Sequence, residues 1–152
     1  MQQTVNIQHK KARFEYEILD TYVAGIQLSG TEIKSIRASK ARITESFCEF
    51  NDRGELFVIN MFIEVYAYGN AYNHQPRSER KLLLNKRELK KLAREVQNVG
   101  LTIVPLRLFL NDKGWAKLKI ALCKGKKLHD KRESIKNREN SIQLDRIKKN
   151  HR

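Results

Sequence analysis

Two stretches late in the chain alternate apolar and polar residues with a period of two. From Thr102 to Leu110, Leu106, Leu108 and Leu110 share a face while Arg107 points away. From Trp115 to Leu122, Ala116, Leu118, Ile120 and Leu122 alternate with Lys117 and Lys119. Such alternation marks half-buried strands. The connection Asn111-Asp112-Lys113-Gly114 joins them as a hairpin with one core face and one cationic face. A second hairpin follows from Phe47 to Phe50 and Leu56 to Ile59, which flank Asn51-Asp52-Arg53-Gly54. Arg13 to Leu28, Met61 to Tyr66 and Lys81 to Leu84 complete the strand candidates.

Two helices interrupt them. Asn85 followed three residues later by Glu88 forms a capping box. Leu89, Leu92, Ala93 and Val96 then recur at helical spacing, with Gly100 as terminator. A shorter helix is predicted near Thr31 to Ala38, with Ile33 and Ile36 inward and a weaker box between Ser29 and Glu32. Many short strands with inserted helices predict a mostly β protein: a small closed antiparallel barrel of the oligonucleotide-binding type, with two or three short helices.

Charge then divides the chain. Its 152 residues carry a formal charge of +14, which points to a polyanionic partner. Residues 124–152 hold eleven basic residues and four acids, a net of +7, so half the excess lies there. That segment has no aromatic residue and too little apolar surface to offset its ordering entropy. Residues 1–123 are therefore expected to form the RNA-binding β-barrel domain. Residues 124–152 should form a basic tail, disordered in the isolated protein. No 18-residue apolar run and no basic–apolar N-terminal signal occurs, which predicts a soluble, cytoplasmic protein.

Catalytic and metal chemistry find little footing. Cys48 and Cys123 stand far apart in alternating segments, which predicts buried thiols in place of a disulfide. The four histidines make no zinc pattern, and no nucleophile elbow, phosphate-binding glycine loop or HExxH is present. Glu32 lacks a second carboxylate or metal ligand and is read as structural. The expectation is a binding protein with no enzymatic activity, no cofactor and no metal.

Four blocks carry a family resemblance. The first runs through Lys11-Ala12-Arg13-Phe14-Glu15-Tyr16, Ala24-Gly25-Ile26-Gln27-Leu28 and Gly30-Thr31-Glu32-Ile33-Lys34-Ser35-Ile36-Arg37. Arg77-Ser78-Glu79-Arg80-Lys81-Leu82-Leu83-Leu84 is the second, and Val104-Pro105-Leu106 the third. Gly125-Lys126-Lys127-Leu128-His129-Asp130-Lys131-Arg132 is the fourth. In this order, over nearly the whole chain, they resemble the SsrA-binding protein (small protein B) family. Family members often carry Asn where this chain has His9, and an acid where it has Val23.

The resemblance implies a barrel that grips the transfer-RNA-like part of transfer-messenger RNA. Protein and RNA would enter the vacant site of a stalled ribosome, with the tail in the decoding centre and the empty mRNA channel. Alanyl-tRNA synthetase and elongation factor Tu would act on the same complex. The alternative is a generic RNA-binding or ribosome-assembly barrel protein.

The expected RNA-facing residues are His9, Lys11, Arg13, Lys34, Arg37, Asn73, His74, Arg77, Arg80, Lys81 and Leu83. Lys34 and Arg37, three apart, project from one side of the short helix as a phosphate clamp. Arg77, Arg80 and Lys81 follow the aromatic cluster Tyr66, Tyr68 and Tyr72. Arginine forks take phosphate, and aromatic faces hold unstacked bases; barrel packing is the competing role for the tyrosines. On the ribosome, Gly125, Lys126, Lys127, His129, Asp130, Lys131 and Arg132 would make contacts, His129 by stacking. Asp130 and Glu133 suit the start of a tail helix at Lys131, which would bring Lys136, Arg138, Arg146 and Lys148 to phosphates.

Overall fold

The computed structural model describes residues 5–69 and 72–126. The elements in order are β1 (Asn6–Gln8), α1 (Ala12–Glu15), β2 (Tyr16–Ile26), α2 (Gly30–Arg37), β3 (Ala41–Arg42) and β4 (Phe47–Phe50). Then come β5 (Leu56–Ile59), β6 (Phe62–Ile63), β7 (Arg80–Leu83), α3 (Lys86–Glu95), β8 (Leu101–Leu110) and β9 (Ala116–Gly125). Seven strands form one antiparallel sheet in the order β1-β8-β4-β5-β7-β2-β9, and β9 pairs with β8 as well. β3 and β6 form a separate two-stranded ribbon.

The two sequence-predicted hairpins use the same turn chemistry. Asn51 Oδ1 accepts from the backbone N–H of Arg53 and of Glu55, at 3.0 and 2.9 Å. Asn111 Oδ1 does the same for Lys113 and Trp115, at 3.1 and 2.9 Å. Gly54 and Gly114 close the turns at φ +76° and +81°, a region costly for residues with a Cβ. The core fills from the inner faces of these strands: Leu56, Val58, Leu82, Leu108, Leu118 and Ile120 are fully buried. Cys48 and Cys123 are buried free thiols, as their segments predicted.

Both helices begin with the expected reciprocal caps. In α3, Glu88 N–H donates to Asn85 Oδ1 at 2.8 Å and Asn85 N–H to Glu88 Oε1. In α2, Ser29 N–H donates to Glu32 Oε1 at 2.9 Å and Glu32 N–H to Ser29 Oγ. The inward face of α2 differs from the expectation. Glu32, Ser35 and Ile36 are buried, while Ile33 is half-buried beside a surface cleft.

Other departures are local. Residues 12–15 coil into α1, so the first long strand starts at Tyr16. Only Phe62 and Ile63 of the 61–66 segment pair as strand, because their partner β3 is two residues long. The register of β8 against β9 shifts between Pro105 and Arg107. Leu106 is the extra residue, so Leu108 is buried while Leu106 and Leu110 are only half-buried. β9 continues past Cys123 to Gly125, paired with Tyr16. Lys126 then holds the N-terminal segment through N–H to Glu15 O (2.9 Å) and Nζ to Arg13 O (2.8 Å).

Candidate nucleic-acid interface

Strand pairing of β2 with β7 sets Gly25 opposite Leu83. A Cβ at Gly25 would lie 3.4 Å from Leu83 Cβ, so the glycine leaves a notch beside that side chain. Leu83 is 50% exposed and Trp115 68% exposed, although both are large apolar residues. They line one cleft with Ile33 and Arg37 of α2 and with Lys113 and Lys117. Apolar surface rimmed by three cations suits a splayed base with its phosphates alongside. Leu83 and Arg37, both expected to face RNA, line this cleft together. Trp115 was overlooked because its segment read as a strand start; its large aromatic ring on a turn was the available signal.

A second cleft of about 300 Å³ lies where β1 meets β8. Gln8, His9, Lys10, Ala12, Arg13, Leu106, Arg107 and Lys119 line it. His9 is only 7% exposed, and its Nδ1 lies 3.3 Å from Pro105 O. Since a carbonyl only accepts, Nδ1 is the donor in this contact. Nε2 is buried without a hydrogen-bond partner among the described residues. Arg107 is anchored to Asn6 Oδ1 at 2.6 Å and lies over the Phe109 ring. Lys11 stands exposed at the start of α1.

Lys34 stays exposed on α2, with Nζ 5.4 Å from the Tyr66 ring centre. Tyr66 also meets Tyr68 edge-on. Tyr68 and Tyr72 remain exposed.

Three expected RNA contacts are instead turned into the protein. Arg80, with a side chain 2% exposed, pairs with Glu32 through Nε. Its remaining donors reach the carbonyls of Met61 (2.5 Å), Gln75 (3.2 Å) and Pro76 (3.0 Å). Asn73 spends both ends of its amide on the backbone of Tyr66, with Nδ2 donating to O at 2.6 Å. His74 Nε2 donates to Ile63 O at 2.9 Å, and Nδ1 accepts from Thr31 Oγ1 at 2.9 Å. All three brace the segment between β6 and β7, with Arg80 buried and Asn73 and His74 half-buried. Lys81 is half-buried and paired with Glu55 at 2.7 Å. Arg77 is exposed but lines a different cleft, with Arg42 and Phe62.

Of the expected tail contacts, Gly125 and Lys126 belong to the end of β9 and its bonds to residues 13–16. Lys127, His129, Asp130, Lys131, Arg132, Lys136, Arg138, Arg146 and Lys148 lie outside the described residues. No helix among the described residues is long and apolar enough to cross a membrane.

The described residues are thus of a definite class: a small antiparallel β protein with three helices, its surface carrying cation-rimmed clefts beside exposed apolar side chains. Residues 6–150 match the model of the family described as SmpB protein. The chain belongs to that family. It is 68% identical over 149 residues to an SsrA-binding protein of Flavobacterium psychrophilum, covering 98% of this chain and 99% of that one. An SsrA-binding protein of Allorhizobium ampelinum is 51% identical over 152 residues, covering 97% and 95%. A solved structure described as "tmRNA-SmpB: a journey to the center of the bacterial ribosome" is 46% identical. It superimposes with a TM-score of 0.69 over 86% of this chain and 94% of its own.

Proposed function

We propose that this protein binds transfer-messenger RNA and delivers it to stalled ribosomes, where the incomplete peptide is tagged and the ribosome released. One observation carries the reading. Relatives named SsrA-binding protein align over nearly the whole chain, and the structural relative described with tmRNA in the bacterial ribosome is 46% identical. The fold supports it: β9 bonds to both β2 and β8, so the strand order returns on itself as in a small barrel of the oligonucleotide-binding type.

In this reading the Leu83–Trp115 cleft takes unstacked bases, with Arg37 and Lys117 on their phosphates. The His9 cleft, with Arg13 and Arg107, holds backbone nearby. Residues 124–152 supply the ribosome contacts in the decoding centre and mRNA channel, with His129 stacking and the basic residues from Lys126 to Lys148 on phosphates. Alanyl-tRNA synthetase and elongation factor Tu act on the same RNA–protein complex. The protein works as a cytoplasmic adaptor and performs no chemistry itself.

Capture of the full chain from bacterial lysate, followed by sequencing of bound RNA, tests this. One dominant transfer-messenger RNA is the expected result. A broad mixture would assign the chain to generic RNA binding or ribosome assembly.

A further inference from the structure

The ribbon of β3 and β6 sets Arg42 directly opposite Phe62. The Arg42 guanidinium lies 4.6 Å from the Phe62 ring centre, and Arg77, from the segment after Pro76, lies 5.3 Å from the same centre. Arg77 is held there: its Nη1 donates to Asn60 Oδ1 at 3.0 Å. Asn60 is itself fixed, with φ +64° and Nδ2 donating to Glu45 O at 3.2 Å. Neither arginine forms an ion pair among the described residues. Two like charges gathered on one ring, unneutralised by any carboxylate within bonding distance, form a prepared anion site.

These groups open onto a cleft of about 290 Å³ that Thr44 and Glu45 also line. The cleft shares no lining residue with either cleft of the proposed transfer-messenger RNA face. A free phosphate would occupy only the arginine side and leave the Glu45 carboxylate as a repulsive neighbour. A nucleotide of RNA uses both kinds of group. Its phosphate accepts from the forks of Arg42 and Arg77, and its 2′-hydroxyl donates to Glu45 or bonds Thr44, which is the group that separates RNA from DNA.

We propose that this cleft holds the phosphate and ribose of one unpaired RNA nucleotide. It would be a second RNA contact, independent of the Leu83–Trp115 face. Two sources share that chemistry: another segment of transfer-messenger RNA, and ribosomal RNA. The reading of the first face is not required, because the test compares variant with wild type at groups that face lacks.

The experiment uses the full chain and the variant Arg42→Gln/Arg77→Gln, whose altered side chains are exposed and leave the melting temperature unchanged. Affinity is measured for transfer-messenger RNA alone and for ribosomes with that RNA bound. The expected result is at least a fivefold loss in one of the two complexes, which names the source. Ultraviolet cross-linking and mass spectrometry should yield, in that complex, a nucleotide adduct on the peptide carrying Phe62 or Arg77. Arg42→Lys/Arg77→Lys, with the charge but not the fork, should recover affinity only in part. Unchanged affinity of both complexes in the glutamine variant overturns the proposal. So does full recovery with lysine, or a loss with no nucleotide adduct.

Discussion

Arg80 closes on Glu32 inside the protein, its Nε donating to the Glu32 carboxylate while three backbone carbonyls take its other donors. One ion pair thereby ties α2 to the start of β7 and to the segment from Met61 to Pro76. Removing one partner leaves the other charged and buried, which costs on the order of 3–5 kcal/mol. Glu32→Gln should lower the melting temperature by about 10 °C or more for a domain of this size, read by circular dichroism. A drop of under about 2 °C would mean the pair contributes nothing net.

The same pair sets a pH dependence. Burial alone would raise the Glu32 carboxyl, but the Ser29 N–H and the Arg80 guanidinium outweigh it and hold the group below the ordinary glutamate range. A carboxyl lowered on folding adds stability that is complete above its unfolded pKa and is lost as pH falls through the folded value. Denaturant titrations should therefore show stability falling as the medium is acidified below about pH 4. Glu32→Gln should flatten part of that fall. An identical acid slope in the variant would place the titration elsewhere.

Burial pushes both thiols up, Cys123 to about 11 and Cys48 further. A thiolate is the reactive form, so neither cysteine should react with a disulfide reagent at neutral pH in the folded protein. Both should react in denaturant. Rapid labelling in the native state would contradict the packing of β4 against β8 for Cys48, or of β9 against β8 for Cys123.

Leu83 and Trp115 are exposed, so changing them should leave stability within about 0.5 kcal/mol of wild type. A stacked base is worth roughly 1–3 kcal/mol. Trp115→Ala should therefore weaken RNA binding by about 5- to 150-fold, with Leu83→Ser acting in the same direction. Equal affinity in both variants would move the RNA away from this cleft.

The pattern of the sequence reached the parts governed by local chemistry. The twin Asn-x-x-Gly turns, the capping boxes at Ser29 and Asn85, and the alternation from Ala116 to Leu122 all act within a few residues. The failures are tertiary. Arg80 reads as a surface cation until Glu32, 48 residues away in sequence, is brought against it. Asn73 and His74 look like site residues because amide and imidazole serve equally well to brace a backbone. The extra residue at Leu106 depends on how β8 meets β9, which no single-strand period reveals.

Family resemblance supplied Leu83 and the RNA itself. The face bearing Trp115 and the Arg42–Phe62–Arg77 cluster needed the fold.

The pairing of Gly125 with Tyr16 also fixes where the tail should be cut. A chain ending at Lys126 keeps β9 and the Lys126 bonds to Arg13 and Glu15. It should bind transfer-messenger RNA within about an order of magnitude of wild type while losing peptide tagging in a reconstituted translation assay. Retained tagging would reduce residues 127–152 to an electrostatic accessory. Ile142→Pro in the full chain, at about 3 kcal/mol against a helix interior, should abolish tagging and spare RNA binding if the bound tail is helical.

Competitive binding of the purified full chain to transfer-messenger RNA and to bulk transfer RNA, across a salt series, tests the central claim most directly. Engagement of about six phosphates predicts log K falling against log salt with a slope of roughly −4 to −5. Specific recognition at the Leu83–Trp115 cleft predicts a preference for transfer-messenger RNA that persists at high salt and is lost in Trp115→Ala. Equal affinity for the two RNAs, with the same steep slope for each, would contradict the account and leave only a cationic surface.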